Sequence, residues 1–467
     1  MADNERRAGP APRILALVFL ALTLALSIFR FLDGDEVEHV HSAWHVLNGA
    51  VPYVDFFEHH HPLLWYLLAP VLAIAGESAG TIVALRLGFF LLVPAAAWAT
   101  YRLARECGGG RDAAWLSVFL LLSMTTFVYV AIEIRPDVPQ TLFGVVSAIF
   151  LARMLRTRSA RDAVLAGLFA AVAFLFLQKA ALLIALYPVP FVAAAARRRV
   201  PWRLGVYGAG AFIAGCVPFA TYLVWSGSLN DYAVTNWLLN ARVGAGRSAV
   251  SFLDEWVLRD FVRNGVFWVL SLAMAGAAVR RRLTAPFTLP AWLGWGLVAA
   301  VAVLNRVVDR YLVAAVPFLA VAVGLWLADE AARRQIRGVR FTALLLVVCL
   351  VPGVAMARAV FRTNRGQLAK IQFVLDRSRA GDRMHDEWRD FNVFRPDMHY
   401  FWFMTRPGVR LYNSSTGGRR ADYDPCRLIA AVRPRFVSDR TGQLAECGLA
   451  GRYRSTPFDR LMERAPD

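Results

Sequence analysis

Between Asp33 and Leu67 the chain reads DGDEVEHVHSAWHVLNGAVPYVDFFEHHHPLLWYL, which brings together six acids and six of the eight histidines of the protein. The acids are Asp33, Asp35, Glu36, Glu38, Asp55 and Glu58, and the histidines are His39, His41, His45, His59, His60 and His61. Carboxylates beside imidazoles are the groups of general acid–base catalysis and of divalent-metal ligation. If residues 35 to 47 are helical, Asp35 and His39 share a face at i,i+4, as do His41 and His45, while Glu38 neighbours His41 at i,i+3. A carboxylate whose geometry and pKa are set by an imidazole is a usable base, so Asp35 is the candidate base and Glu36 its neighbour. His39, His59 and His60, with the acids around them, are the candidate ligands for a divalent ion as cofactor. The plain alternative is a solvated polar loop whose histidines satisfy one another.

Four further positions carry charge against apolar sequence. Asp137 follows Arg135 and Pro136 in IEIRPDVPQ, and Lys179, one of only two lysines, stands between two apolar runs. A lysine there is costly unless it faces a cavity or snorkels to the interface. Arg310 precedes Tyr311 at the mouth of another run, and Arg86 lies inside one, where pairing with an acid of the first loop is expected.

The elements that must hold these residues are helices in lipid. Of 467 residues, 57% are hydrophobic and 18% charged, with 31 Phe and 14 Trp, which excludes a freely soluble enzyme. The net charge of +18 comes from short arginine clusters between apolar runs, the pattern that orients membrane helices rather than one that binds nucleic acid. About eleven spans are expected, at 12–32, 81–104, 113–131, 138–155, 163–178, 180–196, 204–226, 263–279, 287–304, 311–327 and 341–359. Alternate crossing then places every arginine-rich short turn on the cytoplasmic side, provided that residues 62–76 lie at the interface and do not cross. Residues 33–80, 227–262 and the tail face outward. The expected fold is an all-α polytopic membrane domain, residues 1–360, with its catalytic first outer loop at 33–80. A small extracytoplasmic α/β domain follows at 361–467, in which QLAKIQFVLDRSR reads as a helix and RFVSD as a strand. Cys426 and Cys447 lie in that outer part and form the candidate disulfide. The aromatic stretch FRPDMHYFWF reads as packing for this domain.

Taken in order, the Asp35-Glu36 pair, the FE-basic-P segment Phe57 to Pro62, Arg135-Pro136-Asp137, Gln178-Lys179 and DRYLVAAVPFLA from Asp309 resemble the GT-C integral-membrane glycosyltransferases. The likeness, over roughly residues 12 to 330, is to the branch holding protein O-mannosyltransferases and bacterial lipid A aminoarabinose transferase. The triple histidine departs from the Lys-Pro or Pro-Pro that relatives often carry. The resemblance implies transfer of a sugar from a polyprenyl-phosphate carrier to a glycan, lipid or protein acceptor, with inversion, at the outer face of a bacterial cytoplasmic membrane. It assigns catalytic roles to Asp35, Glu36 and Asp137. Carrier and substrate contacts fall to Glu58, His59, His60, Arg86, Arg135, Lys179, Arg310 and Tyr311, with Lys179 and Arg310 on the carrier phosphate. A transporter or flippase of lipid-linked substrates, or a non-catalytic envelope assembly protein, would share the apolar pattern. Clustering of the charges at one membrane face, away from the midplane, favours the enzyme.

Overall fold

The computed structural model describes residues 10–245, 255–281, 286–303, 309–336, 338–416 and 423–466. The helices run α1 (Ala11–Phe29), α2 (Gly34–Leu47), α3 (Leu63–Ala75), α4 (Ala79–Phe90), α5 (Leu92–Glu106), α6 (Arg111–Ser123), α7 (Thr125–Ala131), α8 (Asp137–Thr157), α9 (Ala160–Phe176), α10 (Ala180–Leu186), α11 (Pro188–Ala196) and α12 (Arg203–Trp225). After a short α13 (Leu229–Tyr232), a π-helical stretch (Ala233–Leu239) and α14 (Asn240–Ala245) come α15 (Glu255–Arg280), α16 (Thr288–Val303), α17 (Val316–Arg333), α18 (Gly338–Val360) and α19 (Arg365–Asp376).

The expected apolar runs are helical over most of their described length, that at 311–327 from Val316 onward. Among the described residues, however, only six helices are long and apolar enough to cross on their own: Ala11–Phe29, Ala79–Glu106, Asp137–Thr157, Arg203–Trp225, Leu258–Arg280 and Gly338–Val360. α6 and α7 make a seventh if their 70° bend is counted as one broken span. By length and composition alone, six or seven of the described helices thus qualify as single spans, and the other expected runs form shorter or differently ended helices. Ala180–Ala196 and Thr288–Val303 are shorter apolar helices among the described residues, and α17 ends in Asp329, Glu330 and Arg333. α3, at 13 residues, extends about 20 Å against the roughly 30 Å of hydrocarbon, too little to cross.

The chain divides into two compact units, the first made of residues 1–28, 87–219 and 246–362. Its centre is α17, apolar on every side from Val316 to Val323 and sealed among α5, α6 and α16. A helix with no polar face has to be enclosed in this way. Close approach needs missing side chains: a Cβ on Gly167 of α9 would lie 2.1 Å from the Gly208 carbonyl oxygen of α12. On α12 the side chains of Val206, Ile213 and Val217 are exposed, as expected for a face turned to lipid.

The second unit holds residues 29–86, 220–245 and 363–467. Its four-stranded sheet has β1 (Met384–His385), β2 (Phe436–Ser438), β3 (Tyr453–Ser455) and β4 (Leu461–Arg464) in the order β1-β2-β4-β3, parallel between β1 and β2 and antiparallel elsewhere. Cys426, at the start of helix α21 (Pro425–Val432), is bonded to Cys447, with their Cα atoms 5.1 Å apart. The tail aromatics pack on the first loop: Phe57 N–H donates to the Tyr400 carbonyl at 3.0 Å, and Trp402 Nε1 donates to the Phe57 carbonyl at 3.1 Å. The α20 helix (Arg406–Thr416) adds Val409 and Tyr412 to the same cluster.

Gly167→Ala is expected to cost about 1–3 kcal/mol, because the added methyl meets backbone that cannot yield. A lowered melting temperature of the detergent-solubilised protein would show it. Gly210→Ala, where a Cβ meets nothing within 4 Å, should leave the melting temperature unchanged or slightly raised.

Candidate active site

The site begins with a helix start written in the DGDE sequence. Asp33 caps α2, its carboxylate accepting from Asp35 N–H at 3.1 Å, while Glu36 reaches back to Asp33 N–H at 2.9 Å. This capping box fixes where α2 begins and which way each later side chain points. Glu36 is fully buried and held by Arg86, which donates from Nε to Oε1 at 2.7 Å and from Nη2 to Oε2. Arg86 also donates to the carbonyls of Arg30 and Phe31, at 2.5 and 2.9 Å. The two residues serve as an anchor for the loop.

Asp35, one position earlier, faces differently. Its side chain is 21% exposed, and Oδ1 accepts from Arg389 Nη1 at 2.7 Å; the same Nη1 reaches Glu38, which is fully buried. Arg389 holds a left-handed backbone, φ +52°, a conformation costing about 1–2 kcal/mol that the two ion pairs offset. From Glu38 the chain of contacts continues through His60 Nδ1 at 3.4 Å to Glu58 at 3.3 Å. Tyr53 holds the turn by donating to the His60 carbonyl at 2.6 Å.

Burial acts on both acids with opposite outcomes. At Glu38 burial is outweighed by the Arg389 guanidinium and His60, which hold the carboxyl well below the usual carboxylate range. At Glu58 burial, reinforced by the Glu38 charge, pushes the carboxyl up to about 8. His60, in spite of burial, is pushed up to about 10 by its hydrogen bonds to both acids, and burial together with the His60 charge drives His59 well below its ordinary value. Near neutral pH the trio therefore carries one carboxylate, one carboxylic acid and one imidazolium. Glu38, Glu58, His59 and His60 each present a ligand atom within 4.8 Å of the others, so these four are able to hold a divalent ion. His39 is outside that set; its Nδ1 accepts from Trp65 Nε1 at 3.2 Å and its ring stands edge-on to His60.

The other candidates belong to the first unit. Asp137, in the first turn of α8, is buried between Arg135 Nε at 3.2 Å and Lys179 Nζ at 3.4 Å. Lys179 Nζ also lies 3.8 Å from the centre of the Tyr311 ring, and its side chain is 28% exposed. Arg310 is half-buried on the 3-10 turn Asp309–Leu312. Asp137, Arg135, Lys179 and Tyr311 are thus brought together, while Asp35, Glu58, His59 and His60 form a group with Arg389. Arg389 and Asp397 escape the sequence reading, and Asp397 sits 2.8 Å from both His41 and His45. A signal for Asp397 exists: the tripeptide Arg-Pro-Asp of 135–137 recurs at 395–397.

Residues 59–225 match the family model of dolichyl-phosphate-mannose-protein mannosyltransferases. In fold the chain is similar to ArnT from Cupriavidus metallidurans bound to undecaprenyl phosphate, with a TM-score of 0.64 and 13% identity over 96% of this chain and 97% of that one. It is also similar to the Archaeoglobus fulgidus oligosaccharyltransferase tethered to an acceptor peptide containing the NVT sequon, with a TM-score of 0.58 and 14% identity over 98% of this chain and 74% of that one. None of the curated proteins matches the chain in sequence. The chain has the GT-C fold of membrane glycosyltransferases.

Two outcomes follow from the buried charges. Arg86→Ala strands Glu36 without a counter-charge and should destabilise the protein by about 3–5 kcal/mol. The double variant Arg86→Met, Glu36→Gln keeps the capping contact without the stranded charge and should melt closer to wild type. The second outcome concerns pH. Glu58, His60 and, despite its burial, His41 beside Asp397 all bind protons more tightly folded than unfolded. Between about pH 7 and 9 the folded state holds more protons than the unfolded chain, so stability falls as pH rises. His59 acts only below 6.5, and Glu38 is ionised throughout this window. Thermal melts in metal-free buffer should show the decline, and Glu58→Gln should flatten it.

Proposed function

We propose that this protein transfers a sugar from a polyprenyl-phosphate-linked donor to an acceptor at the outer face of a bacterial cytoplasmic membrane, with inversion and with Asp35 as general base. The observation that carries this reading is the contrast among the acids. Glu36, Glu38, Glu58 and Asp137 are all buried, whereas Asp35 keeps a fifth of its side chain open while Arg389 braces its carboxylate. It is the acid of the candidate set that an incoming hydroxyl can reach. The fold likeness to ArnT bound to undecaprenyl phosphate supports the choice of donor.

In the proposed step the acceptor O–H gives its proton to Asp35 as its oxygen forms the new bond to the anomeric carbon. The bond from that carbon to the carrier phosphate breaks, and its electron pair leaves with the phosphate. The resemblance assigns Lys179 and Arg310 to the carrier phosphate, where cations stabilise developing charge in the transition state more than in the ground state. Glu58, His59 and His60 hold the substrate end of the loop, and Glu36 with Arg86 keeps α2 in place. The Cys426–Cys447 bond fits a tail domain in an oxidising compartment, on the same side as the first loop. Sugar donor, membrane lipids and a glycan, lipid or protein acceptor are the partners.

Purified protein supplied with polyprenyl-phosphate sugars should consume the carrier and yield a glycosylated acceptor; movement of the carrier across the bilayer without transfer would instead indicate a flippase. Asp35→Asn should reduce turnover by about 10² to 10⁴ while carrier binding and melting temperature persist. Lys179→Ala should weaken carrier binding. A well-folded, fully active Asp35→Asn protein would remove Asp35 from the mechanism.

A further inference from the structure

Two loop histidines stand outside the chain of acids. His41 and His45 lie one turn apart on α2, about a third of a revolution round from Asp35. Both aim Nε2 at the same atom, Oδ2 of Asp397, each from 2.8 Å. The three ligand atoms are within 4.8 Å of one another.

Each of these groups is held from behind. His41 Nδ1 donates to the Val393 carbonyl at 2.9 Å, and Asp397 Oδ1 accepts from Asn392 Nδ2 at 2.8 Å. The His41 ring stacks on Trp44 and meets Trp402 edge-on at 4.5 Å, while His45 stacks on Phe56 at 4.8 Å. Asp397 itself is pinned beside β1, where Met384 N–H donates to the Pro396 carbonyl and the Met384 carbonyl accepts from Met398 N–H, both at 2.9 Å.

Without an ion, the trio needs an extra proton. With one N–H committed to Val393, His41 can donate to Asp397 only as an imidazolium that is completely buried. With an ion in place, His41 stays neutral and offers its Nε2 lone pair. A ligand histidine ordinarily gives its second ring nitrogen to a carbonyl, as His41 does, and two imidazoles with one carboxylate leave a fourth position for water. His45, with 15% of its side chain exposed, marks the open side.

We propose that His41, His45 and Asp397 bind one divalent transition ion of the Zn²⁺ class, which ties the tail segment 384–398 to helix α2. The site is separate from the Glu38, Glu58, His59 and His60 group and does not depend on the proposed transferase activity.

The full-length protein, purified in detergent and stripped with chelator, is titrated with Zn²⁺ and with Co²⁺. Wild type should take up an equivalent that raises the melting temperature and, with Co²⁺, gives a visible ligand-field band. His45→Gln and Asp397→Asn should each lose that equivalent, weakening it by more than the roughly 10- to 100-fold that follows loss of an outer-shell partner. His59→Ala with His60→Ala should keep it. Circular dichroism confirms folding, and His45→Gln, being partly exposed, is the variant least prone to misfold. Wild type that binds no equivalent, or His45→Gln that binds as many as wild type with the same affinity, would overturn the proposal.

Discussion

A guanidinium removed from water has to take its counter-charge with it, and the placement of Arg86 is where the loop architecture starts. Its donors are spent on Glu36 and on the carbonyls of Arg30 and Phe31, just past the end of α1. Because Glu36 is also the third residue of the capping box, one carboxylate sets both where the chain turns and where α2 begins. Gln367 repeats the device from the tail, exchanging both of its amide hydrogen bonds with the Leu32 backbone, at 2.7 and 2.9 Å. A slip of one residue would turn α2 by about 100° and exchange its faces. Asp35 and Glu38 would leave Arg389, and His41 and His45 would leave Asp397.

Neighbouring acids consequently live in different electrostatic worlds. Asp35 touches water, Glu36 is neutralised by Arg86, Glu38 by Arg389 and His60, and Glu58 retains a proton near neutral pH. A single extra carboxylate charge beside Glu38 would have no cation left to meet it within this group, and protonation of Glu58 is the relief. Dividing labour between like residues in this manner needs no special residue types, only unequal burial.

The local part of this arrangement is legible in the sequence because it obeys helix periodicity. The i,i+4 spacing of His41 and His45 and the need of Arg86 for an acid are both visible in the sequence. The apolar runs are visible for the same reason, since they are helical over most of their described length. Hydropathy alone does not reveal where a helix breaks or ends: α6 breaks at Met124, and α17 runs on into charged residues. Arg389 and Asp397 were invisible for a different cause. They lie more than 350 residues from their partners on α2, and no short-range pattern reports such a contact. The packing of Tyr400 and Trp402 on Tyr53 and Phe57 is what brings them there.

That separation matters during biosynthesis. Glu38 precedes Arg389 by 351 residues. At 5 to 20 residues per second, α2 waits about 18 to 70 s for its guanidinium. A fully buried carboxylate cannot adopt its final setting over that interval, so the first loop has to remain hydrated while the later helices are made. Maturation of the acid-rich helix is therefore a late event, timed by arrival of the tail, and a ribosome stalled before codon 389 leaves a membrane-inserted chain with an unfinished loop.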